Sequence, residues 1–436
     1  MLTCCDRSSI LRPVAPSFKP TKTMMPKRIF LLLFFLGILA LAQAQQTQML
    51  NVGGHSLEMI QAGTGDYTII FESGFGSDCK VWGNVASEVM QTNQVLLYSR
   101  AGTGKSEPNP QPQTLEAAVQ DLSNLIKRAN LKPPFILVGH SYGAFIIRAY
   151  AAQHPKQVKG LVFVDPAHEK MMLELKKVNP AKAVRDIELQ NSFVPDEFKQ
   201  ENELINQIFE AGTLPEFGEL PQVPAVVLTS VQQRAKPELF LHEPEGVAVW
   251  RNLHAEFFSQ FTNGAHIVTT ASGHNIHRQE PELVIQAINQ VVQAAKKEKG
   301  RQEHEVKVKA LEAAFAQAAA YLKQQKEQKA EDVVFDALKV SGFDERTINT
   351  MAYQQLSNPA TIDMSLLLFK YNTVTYAASA NAFDSYGEAL MQQGKLKQAA
   401  QQFNKAIELA TAAHDDAMLE TSKSNLEKLS QLEKSK

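Results

Sequence analysis

The chain has 436 residues, 44% hydrophobic and 21% charged, which excludes collagenous, mucin-like and multi-span membrane compositions. At about 100 to 200 residues per domain, that length predicts two or three folded units. With 44 Lys and Arg against 46 Asp and Glu, the formal charge of −2 offers nucleic acid no broad electrostatic footing. Three cysteines, Cys4, Cys5 and Cys79, lack the paired Cys/His spacing of a zinc site and cannot build a disulfide framework, so neither a metal nor another cofactor is expected.

In chain order, the first signal is an apolar run of 13 residues, 29–41 (IFLLLFFLGILAL). Lys27 and Arg28 precede it and Ala42-Gln43-Ala44, a small-x-small cleavage site, follows it. A membrane span needs about 20 apolar residues. Residues 1–44 therefore read as a secretory signal peptide, with an uncleaved anchor as the alternative. Met24 and Met25 stand just before the basic pair, so residues 1–23 read as an over-called start. The first 44 residues hold six of the 44 basic and one of the 46 acidic residues, so cleavage leaves a net charge of −7. It also leaves Cys79 as the single cysteine, which suits an oxidising compartment, periplasmic or extracellular.

Two strand-like runs, 47–52 and 56–60, flank Gly53-Gly54 and predict a hairpin. Short apolar runs then recur at 68–71, 95–98, 135–138, 161–164, 225–228 and 267–269, with helix-length segments between them. Strands alternating with helices imply crossover connections, hence a mostly parallel sheet covered by helices on both faces. The wide interval over about 167–222 carries amphipathic patches of its own and reads as a lid. A helix over 281–295 should end this unit, because charge density rises and apolar residues vanish over 296–305 (KKEKGRQEHE). The domain reading is thus 45–295, a charged helical linker over 296–340, and a helical region over 341–436.

The chemistry centres on Gly139-His140-Ser141-Tyr142-Gly143, a G-x-S-x-G sequence with a buried-strand run before it and a helical run, 144–153, after it. So sharp a turn presents Ser141 at the end of the sheet, with glycines where strand and helix crowd together. A serine hydroxyl is a weak nucleophile and needs a base that a third group orients. His274 follows the last predicted strand and should reach the same edge of the sheet; His277 is its competitor. Asp165 ends the strand over 160–164 and is the favoured acid, with Glu238 and Glu243 as alternatives. Two backbone N–H groups must meet the oxyanion. These are assigned to Tyr142 and, in the glycine-bearing loop Ser73-Gly74-Phe75-Gly76, to Phe75. Gly102-Thr103-Gly104-Lys105-Ser106 ends like a phosphate-binding loop, but Ser99 stands where its first glycine belongs. A metal cluster of Asp165, His168, His274 and His277 lacks helical ligand spacing.

Taken together, the hairpin, Ser-Gly-Phe-Gly, Tyr98-Ser99-Arg100-Ala101-Gly102-Thr103-Gly104-Lys105-Ser106, Gly-His-Ser-Tyr-Gly and Ser-Gly-His-Asn-Ile-His resemble the α/β-hydrolase superfamily over about residues 47–295. That resemblance implies hydrolysis of an ester, thioester, lactone or amide through an acyl-enzyme, with Ser141, Asp165 and His274 in the family's order and a small-molecule acyl substrate. Three departures stand out. Ser73-Gly74 replaces the usual His-Gly, Ser99-Arg100 replaces Asp-Arg, and the acid usual after the seventh strand is missing. The alternative function is a catalytically inactive hydrolase-fold scaffold that binds a protein partner.

Beyond the linker, Phe369 and Phe403, Tyr353 and Gly387, and Leu356 and Leu390 each lie 34 residues apart, resembling the tetratricopeptide repeat. The second unit matches best, with Phe383, Tyr386, Gly387, Leu390, Gly394, Ala399, Phe403 and Ala406 at the expected large and small positions. The first is degenerate, with Tyr353 in a small-residue position and Pro359 in its turn. Residues 414–429 supply a capping helix. Such repeats imply a groove for a protein partner, or else a stabilising or dimerising appendage.

Overall fold

The computed structural model describes residues 47–358 and 360–434; the expected signal peptide over 1–44, with Cys4 and Cys5, and Pro359 lie outside them. Strands β1 (Gln48–Asn51) and β2 (Ser56–Ala62) form the expected hairpin, and Gly53 and Gly54 carry φ of +125° and +133°, where a side chain would strain the turn. There follow β3 (Thr68–Glu72), helix α1 (Gly83–Val89), β4 (Gln94–Tyr98), α2 (Leu115–Arg128), β5 (Phe135–His140), α3 (Gly143–Gln153) and β6 (Val158–Val164). Three helices, α4 (Met171–Val178), α5 (Pro180–Ser192) and α6 (Lys199–Ala211), occupy the lid interval before β7 (Ala225–Ser230). Then come α7 (Pro244–Phe258), β8 (Gly264–Thr269) and the short α8 (Ile276–Gln279).

The eight strands make one sheet in the order β1-β2-β4-β3-β5-β6-β7-β8. Pairing is antiparallel at β1–β2 and β2–β4 and parallel from β4 onward, the mostly parallel α/β-hydrolase arrangement that the sequence implies. Strands β3 and β5 are buried along their whole length, because helices cover both faces and leave no position for polar alternation. Phe145, Leu137 and Phe163 belong to one facial core, and Phe71, Val138, Val164 and Ile288 to the other. Each such buried side chain contributes roughly 1.5–3 kcal/mol. Register sets Glu72 beside Gly139, His140 beside Val164 and Val164 beside Leu228, so the residues just past these strand ends emerge at one edge of the sheet.

Helix α7 occupies the helix-length interval expected between the apolar runs 225–228 and 267–269, though its own residues do not single it out in the sequence. Its buried residues, Trp250, Leu253, His254 and Phe257, do fall at helical spacing, but a histidine among them obscures the apolar stripe.

The next helix extends past its expected end. Instead of stopping at Ala295, α9 runs unbroken from Pro281 to Lys323. The charged segment is rich in strong helix formers, and ion pairs at helical spacing line it: Glu298 with Arg301, Arg301 with Glu305, and Glu305 with Lys309. The division between the chain's two compact units falls inside this helix, between Ala295 and Lys296.

The second unit is all helical. After the remainder of α9 come α10 (Glu327–Ser341), α11 (Glu345–Leu356), α12 (Ile362–Thr375), α13 (Ala380–Gln392), α14 (Leu396–Ala413) and α15 (Asp416–Lys434). A β-carbon on Gly387 would lie 2.6 Å from the Phe403 ring, so α13 and α14 touch closely only because position 387 has no side chain. Tyr353, where the repeat resemblance leads one to expect a small residue, does not disrupt its helix pair. Its ring packs edge-on against Phe369 at 4.9 Å and its hydroxyl donates to Glu388 at 2.6 Å, filling the space with a satisfied side chain.

Candidate active site

Ser141 follows the last residue of β5 and has φ of +50°, a left-handed conformation costly for a residue with a β-carbon. Backbone bonds hold it there. Its N–H donates to Val164 O at 3.2 Å, and its carbonyl accepts from Ala144 and Ala167, each at 3.0 Å. A β-carbon on Gly139 would meet Ile147 at 2.8 Å, and one on Gly143 would meet the carbonyls of Glu72 and Ser73 at 2.7 Å. Those glycines are therefore what lets helix α3 begin so close to the sheet.

Asp165 stands one residue past β6, 2% exposed, with φ of +44°. Three donors converge on its carboxylate: the Ser230 N–H at 2.8 Å and the Trp250 indole N–H at 2.9 Å on Oδ1, and His274 Nδ1 at 2.7 Å on Oδ2. Because Nδ1 donates, Nε2 of His274 is left as the acceptor in the neutral ring. Ser230 and Trp250 escaped the sequence reading. The available signal was Trp250 itself, one of two tryptophans in the chain, four residues before His254. His254 donates from Nε2 to Pro166 O at 2.8 Å while Nδ1 bonds Thr229 Oγ1 at 2.7 Å, so α7 also secures the turn after Asp165.

The loop bearing His274 is pinned at several points. Ser230 Oγ donates to Ser272 O at 2.7 Å, the Gly273 N–H donates to Gln279 Oε1 at 2.7 Å, and His140 Nε2 donates to the His274 carbonyl at 2.9 Å. The His274 side chain remains 43% exposed. Its competitor His277 is 1% exposed and stacked among Trp82 at 4.6 Å and His140 at 4.4 Å, with no contact to Asp165. Nor do the alternative acids approach His274. Glu243 pairs with Lys182 at 2.5 Å, and Glu238 is exposed. His168 lies apart from this set, 3.8 Å from Glu169.

Phe75, Ser141, Tyr142, Asp165 and His274 line a single cavity of about 420 Å³, which Met171 of α4, Asn191 of α5 and Ile205 and Phe209 of α6 also line. The backbone N–H groups of Phe75 and Tyr142 have no backbone acceptor among the described residues. Gly74 runs so near Ser141 that a β-carbon on it would lie 3.3 Å from that of Ser141 and 2.7 Å from His140 Nδ1.

Two departures from the family pattern acquire a physical account. Ser73, in place of histidine, accepts from the Trp82 indole N–H and donates to Asp78 O, each at 3.1 Å, closing the loop. Ser99, in place of aspartate, donates to Glu58 Oε2 at 2.9 Å; that oxygen also accepts the Lys105 N–H at 3.0 Å, so β2 supplies the missing carboxylate. The stretch resembling a phosphate loop is a turn tied to Glu58, and the next helix does not start until Leu115.

Burial holds three histidines around this site neutral. It pushes His277 down to about 3 and His254 to about 4, and His140 well below the ordinary 6.5, with nearby His274 adding to the effect for His140 and His277. An unfolded chain takes up protons at these positions below about pH 6.5 while the folded chain does not, so folding stability falls as pH drops through that window. The thermal unfolding midpoint is therefore expected to fall steadily between pH 6.5 and pH 4. A midpoint constant over that range in a calorimetric series would show that these rings are not held neutral.

The family model described as alpha/beta hydrolase fold matches residues 67–202. The Bacillus subtilis protein YqjL is 30% identical over 244 residues, spanning 53% of this chain and 86% of that protein. A second relative, an AB hydrolase superfamily protein of Gibberella zeae, is 36% identical over 110 residues, which are 24% of this chain and 34% of that one. Among solved structures, a serine hydrolase involved in carbazole degradation, the CarC enzyme, is 18% identical with a TM-score of 0.42, covering 57% of this chain and 99% of its own.

Proposed function

The chain belongs to the α/β-hydrolase family, and from that premise we propose that it is a serine hydrolase cleaving an ester-type acyl bond through an acyl-enzyme. What carries this reading is the 2.7 Å bond between Asp165 and His274, residues 109 apart in sequence, on the cavity that Ser141 also lines. His274 Nε2 takes the proton of Ser141 Oγ as that oxygen attacks the substrate carbonyl carbon. The N–H groups of Phe75 and Tyr142 stabilise the resulting oxyanion. Collapse of the tetrahedral intermediate breaks the acyl bond, and the leaving alcohol, thiol or amine receives the proton from His274. Water then attacks the acyl-serine by the same route, His274 acting again as base, and releases the acid. Asp165 orients the imidazole and stabilises its charged form throughout.

The cavity offers an apolar stretch of wall, from Met171, Ile205, Phe209 and Trp250, for an apolar part of the substrate, beside a polar stretch from Asn202, Asn206, Gln232 and Arg234. We place the enzyme's work outside the cytoplasm, after removal of residues 1–44, and read the helices of the second unit either as a stabilising or dimerising appendage or as a groove for a protein partner.

The test is direct. Purified protein is expected to react with a fluorophosphonate probe at Ser141 and to hydrolyse p-nitrophenyl butyrate with saturable kinetics. A well-folded protein that neither labels nor turns over short esters, thioesters or lactones would overturn this reading in favour of an inactive scaffold.

A further inference from the structure

One buried cation joins the sheet, the oxyanion loop and the lid. Arg100, two residues past β4, is 6% exposed, yet each of its five N–H donors has an acceptor. Nη1 donates to Glu72 Oε1 at 2.8 Å and to the Ser73 carbonyl at 2.6 Å. Nη2 donates to the Gly74 carbonyl at 2.8 Å and to Glu201 Oε1 at 2.7 Å, and Nε reaches the same Glu201 oxygen at 2.9 Å. The other Glu201 oxygen accepts the Gly76 N–H at 3.0 Å. Glu201 belongs to lid helix α6, whereas Ser73, Gly74 and Gly76 belong to the loop past β3.

The geometry of a trans peptide gives this clamp a consequence. Carbonyl and N–H of one peptide unit point in opposite directions. The Gly74 carbonyl is drawn to the guanidinium, so the Phe75 N–H of that same peptide unit is turned away from it and left unspent. Just ahead of α6, Phe198 presses on the same loop: its ring is 5.9 Å from that of Phe75, and a β-carbon on Gly76 would lie 3.4 Å from it. Two lid side chains thus grip the loop, one by charge and one by packing.

We propose that Glu201 is a positioning residue that couples the lid to the oxyanion hole. It completes the guanidinium clamp and anchors Gly76, so that the Phe75 N–H is held in place for the oxyanion only while α6 is docked. This inference rests on the serine-hydrolase reading. Glutamine cannot substitute. Its single amide oxygen can serve the guanidinium or the Gly76 N–H but not both, and its NH2 then meets a donor at the other position.

The experiment compares full-length wild type with Glu201→Gln, Glu201→Ala and Phe198→Ala on p-nitrophenyl butyrate, together with inhibition by phenylboronic acid, whose tetrahedral serine adduct mimics the oxyanion. Both Glu201 variants are expected to lose about tenfold to hundredfold in kcat, with KM within about threefold and boronate affinity falling in parallel with kcat. Phe198 is half-buried outside the main cores, so Phe198→Ala keeps the proposal testable if the Glu201 variants do not fold. It is expected to lose roughly threefold to tenfold in kcat with the same split. Folded variants with a lowered unfolding midpoint but wild-type kcat and boronate affinity would overturn the coupling and leave Glu201 a stabilising residue alone. An inactive wild type would overturn the serine-hydrolase reading as well, so the two failures are told apart by the wild-type measurement.

Discussion

Replacing Ser141 with alanine is expected to lower kcat by about four or more orders of magnitude while leaving the fold intact. The substitution removes one oxygen and keeps the β-carbon, so the backbone at φ of +50° is no more strained than before. The backbone bonds that hold the turn, from Ser141 N–H to Val164 and from Ala144 and Ala167 to the Ser141 carbonyl, do not involve the lost atom. What disappears is covalent catalysis: His274 then has no hydroxyl to deprotonate, and only oxyanion binding and substrate orientation remain to accelerate attack by water. Steady-state kinetics on p-nitrophenyl butyrate, with circular dichroism as the folding control, measures the effect. Activity within tenfold of wild type would remove Ser141 from the nucleophile's role.

Asp165→Asn is expected to cost about four orders of magnitude, for a reason specific to the donors around this carboxylate. Oδ1 accepts two N–H groups, from Ser230 and Trp250. An asparagine must leave its carbonyl oxygen facing them, which turns its NH2 toward His274 Nδ1. A donor there forces the neutral imidazole into the tautomer with Nδ1 as acceptor and Nε2 protonated, and a protonated Nε2 cannot take the serine proton. Binding changes little, so the loss should appear in kcat. By contrast, Glu238→Gln and Glu243→Gln should each cost less than about tenfold. The first alters an exposed side chain, and the second breaks a pair with Lys182 that does not touch His274. The opposite ranking among the three variants would move the acid to the segment between β7 and α7.

Much of this architecture is written in local patterns that need no knowledge of the fold. The hairpin glycines, the six apolar strand runs and the order of motifs predict a mostly parallel sheet with covering helices, because a buried strand has to be apolar along its length and a crossover has to be long enough for a helix. Ser141 is legible for the same reason: strand, sharp turn and helix are consecutive in sequence. The Gly387 and Phe403 contact is likewise foreshadowed by the small and large residues of a helical pair.

Other features depend on groups far apart in the chain, and no local pattern reports them. The rise in charge and loss of apolar residues over 296–305 mark a boundary between units, but helix α9 runs through it because ion pairs at helical spacing need no apolar face. Choosing among Asp165, Glu238 and Glu243, or between His274 and His277, is a question of distance. Parallel pairing sets the ends of β5, β6 and β7 side by side, which brings Asp165 against His274 and leaves His277 buried against Trp82. The five-donor clamp of Arg100 belongs wholly to the tertiary structure. Its acceptors Glu72 and Glu201 are 129 residues apart, and as letters in a sequence they are two glutamates among many. Sequence by itself determined which segments become strands and helices and which serine sits on the turn, since burial and backbone geometry act over a few residues. Only the packed structure decided which charged and titratable groups meet, since a buried charge chooses its partner by proximity in space, and proximity follows from strand order and lid placement.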